Sequence, residues 1–226
     1  MSAREAILAR LRHALPRDAA AQEEAVRTVT ARLARHAANL IPARGQLDRE
    51  GRVRLFAEMA SAVMADVLRL PDMAAVPAAV STYLRERNLP QKLVLAPEPL
   101  LDQARWESQP LLRVRRGGAD REDAVGVTLA VAGVAETGTL MLASAPERPT
   151  LLAFLPETSV VVLPADWIEG AYEQAFESAR AMPGGVPRSV NFITGPSRTA
   201  DVAQKLELGA HGPKRLLILI VETAPT

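Results

Sequence analysis

The sequence predicts an α/β fold, with a mostly parallel sheet flanked by helices, a β-hairpin excursion and a helical extension at the amino terminus. Two runs, Ser159–Leu163 and Arg215–Val221, are almost continuously aliphatic, which is typical of strands that are buried on both faces of a parallel sheet. Strands that alternate with helices along a chain favour the same architecture. The chain has 226 residues, of which 48% are hydrophobic, and this suits one such domain with appendages.

Three amphipathic helices are predicted before the sheet. Ser2 and Glu5 have the spacing of a capping box at the start of the first helix. Each helical pattern has only one apolar face, so each helix needs a surface to pack against. We therefore interpret residues 1–64 as a helical extension, which is either a cap or a subunit-contact arm, and residues 65–226 as the α/β domain.

Short apolar runs and helical patterns alternate through the predicted α/β domain. The predicted strands are Val67–Leu70, Lys92–Ala96, Leu111–Val114, Ser159–Leu163, Ser189–Thr194 and Arg215–Val221. The predicted helices are Val76–Arg87, about Asp166–Ala181 and Thr199–Leu206. Two further runs, Val125–Val131 and Thr139–Ala143, have only a short polar segment between them and could form a hairpin.

The chain contains no cysteine. This excludes a disulfide, a thiolate nucleophile, a cysteine zinc site and a cysteine-held iron–sulfur cluster within the chain. The three histidines, His13, His36 and His211, are too scattered to suggest a metal site. We expect no metal and no cofactor held by this chain. Any redox chemistry would use a partner protein or a soluble cofactor whose identity the sequence leaves open.

Net charge is +1, so the field of the whole protein gives no reason to expect nucleic acid as a partner. Residues 1–60 hold eleven arginines against seven acidic residues, which favours a solvated helix surface over a docking face for an acidic partner. No apolar stretch approaches the roughly 20 residues that span a bilayer. The first residues lack the pattern of a secretory signal. We expect a cytoplasmic protein without a membrane span.

The strongest local signal for chemistry is the segment Asn191–Asp201, NFITGPSRTAD. A predicted strand ends there in a Gly-Pro turn that leads into a predicted helix, and ligands of parallel sheets bind beyond the carboxyl ends of strands near helix N-termini. An ordinary helix cap explains the segment about equally well. The hydroxyl groups beside Arg198 favour an anion site slightly. The candidate binding residues are Thr194, Gly195, Ser197, Arg198, Thr199 and Asp201.

A second segment, Gly133–Leu140, lies between two apolar runs. Glu136 is a candidate general acid or base there, and Thr137 and Gly138 are candidate binding residues. The alternative is a hairpin turn in which Gly138 supplies an unusual backbone angle and Glu136 is simply solvated. The sequence by itself favours the turn.

The third segment is the loop Gly209–Arg215. His211 could hydrogen-bond a substrate or transfer a proton near neutral pH, with Gly212 beside it, although a lone loop histidine is more often structural or exposed. The predicted helix Thr199–Leu206 places this loop and the Asn191–Asp201 segment at opposite ends of one helix. A shared site therefore requires the chain to fold back or a second subunit to contribute.

Taken together and in this order, the strings AETGTL, SVVVLP, VNFITGPSRTAD and ELGAHGP resemble the LUD-domain family, and within it the lactate utilisation protein C family. The resemblance covers about Ala65 to Glu222. It implies the NagB/RpiA/CoA-transferase-like α/β fold. It also implies a link with the oxidation of L-lactate to pyruvate beside two cysteine-rich iron–sulfur proteins, with this chain as the cluster-free subunit rather than a stand-alone catalyst.

Three hypotheses follow from the residues and the resemblance. In the first, the subunit binds a small carboxylate or another anion, for which the forked guanidinium of Arg198 is suited. The second is a free-standing enzyme or binding protein for a phosphorylated, CoA-linked or nucleotide-like molecule. The third is a non-catalytic scaffold whose motif loops form a protein interface. A homo-oligomer is compatible with the sequence, and no residue is assigned a catalytic role beyond the candidates Glu136 and His211.

Overall fold

The structure is a computed structural model that describes residues 2–15, 18–199 and 207–223. The chain forms two compact units, Met1–Leu40 and Ile41–Thr226. The first unit is shorter than the predicted extension of residues 1–64. The third predicted helix belongs to the second unit, because its side chains Val53 and Phe56 are fully buried in the core of that unit.

The first unit contains two helices, α1 (Ala3–Ala14) and α2 (Ala19–Arg35). The predicted capping box is present: Glu5 N–H donates to Ser2 Oγ at 3.3 Å, and Ser2 N–H donates to the Glu5 carboxylate at 2.6 Å. None of the described side chains of this unit is buried. Six of its large apolar side chains are 52–67% exposed, namely Ile7, Leu11, Leu15, Val26, Val29 and Leu33.

Within its described residues, 41–199 and 207–223, the second unit holds four α-helices and twelve strands. The helices are α3 (Arg49–Ala62), α4 (Val76–Glu86), α5 (Pro99–Asp102) and α6 (Tyr172–Arg180). The strands are β1 (Asp66–Asp72), β2 (Lys92–Leu95), β3 (Arg113–Arg116), β4 (Val125–Leu129), β5 (Ala132–Val134), β6 (Thr139–Ala143), β7 (Thr158–Pro164), β8 (Ile168–Glu169), β9 (Val190–Ile193), β10 (Arg198–Thr199), β11 (Glu207–Leu208) and β12 (Arg215–Thr223). Among the described helices, none has both the length and the apolar character to cross a membrane.

Six parallel strands form the main sheet in the order β1-β12-β7-β4-β2-β3. The prediction of a mostly parallel sheet is therefore confirmed. Every residue of β7 is buried, because β7 and β12 lie in the centre of the sheet and are covered on both faces. The continuous aliphatic runs of these two strands reflect that two-sided burial.

Alternate residues of the central strands belong to two separate hydrophobic clusters. Val160 and Leu217 pack on one face with side chains of α4, and Val161 and Ile218 pack on the other face with Phe56 of α3. Strand side chains alternate between the faces of a sheet. The main sheet is therefore covered by α4 on one face and by α3 together with a second sheet on the other.

The second sheet has four strands in the order β8-β5-β6-β9. Its hairpin is β5–β6, which pairs antiparallel. The predicted pairing of Val125–Val131 with Thr139–Ala143 is wrong, because Val125–Leu129 is buried on both sides and stays in the main sheet between β2 and β7. Strand β9 also pairs with β6 and not with the main sheet. The outer face of the second sheet is covered by α6, through Ala175 and Ala179.

Two predicted helices differ in the structure. The helix expected from Asp166 begins only at Tyr172, since a 3₁₀ turn and β8 occupy the intervening residues. The helix expected from Thr199 does not start there, because Arg198 and Thr199 form β10 and pair antiparallel with β11. Residues 200–206, which include the candidate Asp201, lie outside the described residues, as does the side chain of Thr199.

Removal of residues 1–40 is expected to leave the second unit folded. No described side chain before Ile41 is buried, so the deletion removes little buried apolar area. We expect the melting temperature of the shortened chain to lie within roughly 3 °C of the full chain, by scanning calorimetry. A single cooperative transition that moves down by more than about 8 °C would show that the second unit depends on the first.

Candidate functional site

The two glycine-containing motif loops meet at the last turn of α3. Gly138 has φ 64° and Gly195 has φ 78°, a left-handed backbone region that favours glycine. A Cβ at Gly138 would lie 2.2 Å from the backbone nitrogen of Ala60, and one at Gly195 would lie 2.4 Å from the carbonyl oxygen of Val63. Both loops therefore need glycine for a steric reason, and α3 brings them side by side.

A cluster of four hydroxyl groups links these loops to α6. Thr139 is fully buried, and its Oγ1 lies 2.8 Å from Thr137 Oγ1, 3.0 Å from Tyr172 Oη and 2.7 Å from Thr194 Oγ1. Two predicted site residues, Thr137 and Thr194, are thus joined through Thr139. Sequence reasoning missed both Thr139 and Tyr172. Thr139 is the first residue of an apolar strand pattern, and Tyr172 lies in a helical pattern.

Glu136 is a buried carboxylate and not a solvated one. The residue is only 5% exposed, so the solvated alternative for its side chain is wrong, while the unusual backbone angle expected at Gly138 is confirmed. Its backbone N–H donates to Gly170 O at 3.2 Å. Arg44 Nε lies 3.8 Å from Glu136 Oε2, and the Arg44 side chain is 58% exposed. Glu136 is therefore a buried carboxylate with an exposed cation beside it.

The loops that contain Ser197 and His211 contact each other directly. Ser197 N–H donates to Pro213 O and Gly209 N–H donates to Ser197 O, each at 2.9 Å. Ser197 Oγ accepts from His211 N–H at 3.3 Å, and Gly212 packs against the Ser197 side chain. The expected separation of these two loops is wrong, because the β10–β11 pair folds the chain back. His211 and Ser197 therefore lie next to each other within one subunit, and His211 is exposed.

A cleft of about 540 Å³ opens beside these loops, at the amino ends of β1 and β12. The Asn191–Asp201 segment was expected beyond the carboxyl end of a strand of the main parallel sheet. That expectation is wrong because β9, from which the Gly-Pro turn departs, belongs to the second sheet. Arg198 is exposed at the rim, with Nη1 3.5 Å from Met64 Sδ. The lining includes Met64, Asp66, Arg87, Pro196, Lys214 and Arg215.

Cations outnumber carboxylates around this cleft. Arg87 pairs with Asp66 at 2.7 Å, and Lys214 pairs with Glu157 at 2.6 Å. Arg215 Nη1 is buried and has no hydrogen-bond partner among the described residues, and the nearest Glu157 oxygen is 3.9 Å away. The Arg215 side chain is 35% exposed and its ion pair with Glu157 is long, so its charge can also attract an anion from the cleft. Sequence reasoning missed Arg215, because it reads as the first residue of an aliphatic strand.

Asp66 is held in place by a tyrosine from α4. Tyr83 Oη donates to Asp66 Oδ2 at 2.8 Å, and the Arg87 guanidinium lies 4.7 Å from the centre of the Tyr83 ring. Burial, and then the hydrogen bond to Asp66, raise the pKa of Tyr83 above its ordinary value. The Asp66–Tyr83–Arg87 cluster therefore forms a fixed wall of the cleft.

The opposite edge of the sheet has a buried ion pair without room for a ligand. Glu98 follows β2, and its Oε2 lies 3.5 Å from Arg148 Nε, yet neither atom has a hydrogen-bond partner among the described residues. Burial raises the pKa of Glu98. The cavity beside Arg148 has about 10 Å³, at most the space of one water. Within the ranges that the structure describes, no group of three His, Asp or Glu side chains could hold a metal ion.

Replacing Gly138 by alanine should be strongly destabilising. The new Cβ would meet the backbone of α3 at 2.2 Å, so we expect a loss of about 3 kcal/mol in the free energy of unfolding, measured in urea. Gly184 is the matched control, since it has φ 84° but nothing within 4 Å of an added Cβ. Gly184→Ala should cost only about 1 kcal/mol. Equal losses in the two variants would contradict the proposed contact with α3.

The raised pKa of Tyr83 should be visible by titration, because the chain has only two tyrosines. The folded chain holds the Tyr83 proton more tightly than the unfolded chain, so the associated stability is complete below about pH 10 and is lost as the pH rises further. We expect part of the tyrosinate absorbance of the folded wild type to appear only well above pH 10, and Tyr83→Phe to remove that part. The variant should also lose less stability than the wild type above about pH 10. An absorbance change well above pH 10 that is the same in Tyr83→Phe as in the wild type would refute the assignment.

Comparison with known proteins supports the fold and the family. The family model of the LUD domain matches residues 19–221 of this sequence. A protein of Neisseria meningitidis is 38% identical over 96 residues, or 42% of this chain and 41% of its own length. Lactate utilization protein C of Macrococcus caseolyticus is 33% identical over 101 residues, or 43% of this chain and 44% of its own length. These alignments thus span less than half the length of the relatives.

A crystal structure of a DUF162 family protein from Deinococcus radiodurans has the same fold. Its TM-score is 0.60 at 21% identity, and the superposition covers 77% of this chain and 99% of that chain. The match of the family model extends over most of the sequence and confirms the resemblance carried by the three motif segments. The chain therefore belongs to the LUD domain family.

Proposed function

We propose that this chain is the cluster-free subunit of a system that oxidises L-lactate to pyruvate with iron–sulfur partner proteins. We further propose that it binds a small carboxylate in the cleft at the amino ends of β1 and β12. Relatives that bear the name lactate utilization protein C support the first part. The buried, unpartnered guanidinium nitrogen of Arg215 in a cleft with excess positive charge supports the second.

The cations of the cleft have complementary roles in this proposal. Arg215 is the anchor, since a carboxylate would satisfy its buried nitrogen and two parallel N–H···O bonds are the strongest geometry available to it. Lys214 adds a mobile point charge. Arg198 lies exposed at the rim, and its one polar side-chain contact among the described residues is with a methionine sulfur. It can therefore close over a bound anion without giving up an ion pair to any of these residues.

The hydroxyl cluster would position the motif loop. Thr194 is bonded to the buried Thr139, and two residues later Pro196 lines the cleft. A fixed Thr194 therefore holds that wall of the cleft in place. Glu136, which is buried beside the exposed Arg44, and the exposed His211 are not needed for carboxylate binding. Both stay candidates for proton transfer.

Oxidation of lactate to pyruvate releases two electrons and two protons. The chain has no cysteine, so it cannot itself hold a cysteine-ligated cluster to accept those electrons. In this proposal the partner proteins take the electrons, and the role of the chain is to present the substrate to them.

The volume of the cleft favours a second candidate function. About 540 Å³ falls in the range of sites for drug-sized ligands and exceeds what lactate alone would fill. A phosphorylated, CoA-linked or nucleotide-like molecule could place its phosphate against Arg215 and Lys214. Ligand preference distinguishes this free-standing binding protein or enzyme from the lactate subunit.

A thermal-shift panel with L-lactate, pyruvate, CoA, nucleotides and sugar phosphates tests both candidates. A ligand at a hundred times its dissociation constant stabilises the fold by about 2.7 kcal/mol. We expect a response to lactate or pyruvate, which Arg215→Gln abolishes and which Arg198→Ala weakens about tenfold, because each removes a charged hydrogen bond to the anion. Arg113→Ala, at an exposed arginine of β3 on the far edge of the sheet, is the matched control and should bind normally.

The same variants should be compared in lactate-dependent dye reduction by the chain with its iron–sulfur partners. Arg198→Ala should lower this activity without lowering the melting temperature. A panel response confined to phosphorylated or CoA-linked molecules would move the assignment to the second candidate. A silent panel with full activity of Arg215→Gln and Arg198→Ala would eliminate anion binding and leave a scaffold.

A further inference from the structure

The two edge strands of the main sheet differ in how they are protected. Edge strand β3 has the sequence Arg113-Val114-Arg115-Arg116, and charged side chains on an edge strand oppose pairing with another chain. Edge strand β1 instead exposes Leu68, which is 40% accessible and follows the partly buried Val67. In the part of the chain that the structure describes, no strand pairs with the outer side of β1.

A groove of about 760 Å³ lies between this open edge and α4. Its strand wall contains Leu68 and Leu70, and its helix wall contains Ala75, Ala78 and Ala79. Alanine side chains leave room for a branched aliphatic side chain from outside. The groove thus offers apolar space directly beside unpaired backbone groups, which is the arrangement used when a strand adds to a sheet edge.

We propose that β1 pairs antiparallel with β1 of a second copy of this chain about a twofold axis at Leu68. The two six-stranded sheets would then be continuous across the dimer. Leu68 of each copy would lie in the alanine-walled groove of the other, so the same surface supplies both the projecting side chain and its receptor, as an isologous interface requires.

The position of the axis follows from Pro71. Proline has no backbone N–H and stops pairing on an edge strand. The segment of β1 that can pair is therefore Asp66–Leu70, and its central residue is Leu68. Arg69 does not oppose the pairing, because its guanidinium is held by Glu50 and Glu222 of its own chain at 2.6–2.8 Å.

Charge complementarity favours a second copy of the chain as the occupant of the edge. Around the amino end of β1, the four cations Arg87, Arg198, Lys214 and Arg215 exceed the three carboxylates Asp66, Glu86 and Glu157. Around its carboxyl end, the four carboxylates Glu50, Asp72, Asp166 and Glu222 exceed the three cations Arg49, Arg54 and Arg69. Antiparallel pairing places the basic end of one copy beside the acidic end of the other.

Sedimentation of the full chain tests this dimer. We expect the wild type to be dimeric at micromolar concentration and Leu68→Glu to weaken the dimer at least 100-fold, because a carboxylate would be buried in an apolar groove. Leu111→Glu is the matched control, since Leu111 is 81% exposed and lies next to the opposite edge strand. This variant should sediment as the wild type does. A monomeric wild type at about 100 μM, or a dimer that persists in Leu68→Glu, would overturn the proposal.

The absence of native cysteine permits a direct test of the register. Residues directly opposite each other in an antiparallel pair have Cβ atoms about 4.5–5.5 Å apart, close enough for a disulfide after a small adjustment. We expect mild oxidation to convert Leu68→Cys, but not Leu111→Cys, into a covalent dimer on a non-reducing gel. Loss of the dimer in Leu68→Glu without crosslinking of Leu68→Cys would reject the antiparallel register. Neither test involves a ligand, so its outcome is independent of the proposed anion binding.

Discussion

The architecture of the second unit depends on the two-sided burial of β7 and β12. Both strands are aliphatic along almost their whole length, and a parallel strand of this kind is stable only if both faces of the sheet are covered. The cover consists of α4 on one face and of α3 with the second sheet on the other. Val161 and Ile218 lie on the face of the main sheet that α3 and the second sheet cover. The need to cover this face accounts for the hairpin β5–β6, for strand β9 beside it, and for the packing of the motif loops on α3.

The motif residues serve two different physical purposes. Gly138 and Gly195 are steric requirements, because each lies against the backbone of α3 at a distance that no side chain allows. The hydroxyl groups of Thr137, Thr139 and Thr194 form a bonded cluster, and the cations next to Pro196 and Pro213 create the positive cleft. A recognisable string such as TGPSR thus combines residues that shape the loop with residues that can contact a ligand.

The sequence was a good guide wherever one local pattern decides the structure. Two-sided burial made the runs Ser159–Leu163 and Arg215–Val221 identifiable as central strands, and the Ser2–Glu5 spacing identified a helix start. The sequence was a poor guide where contacts with residues far along the chain decide the structure. Val125–Leu129 carries the same apolar pattern as a hairpin strand, so its place between β2 and β7 could not be read locally. The contact of Thr139 with Tyr172 and the unpaired nitrogen of Arg215 are also long-range features with no local signature.

The strand order has a consequence for synthesis of the protein. Strand β12 lies between β1 and β7, yet it leaves the ribosome after both of them. Until residues 215–223 have emerged, β1 has no neighbour in the sheet, β7 has an open apolar edge, and the cleft lacks Arg215. The nascent chain therefore carries an unfinished, aggregation-prone sheet for most of its elongation. Chaperone dependence during translation should consequently be greatest just before the central strand is released.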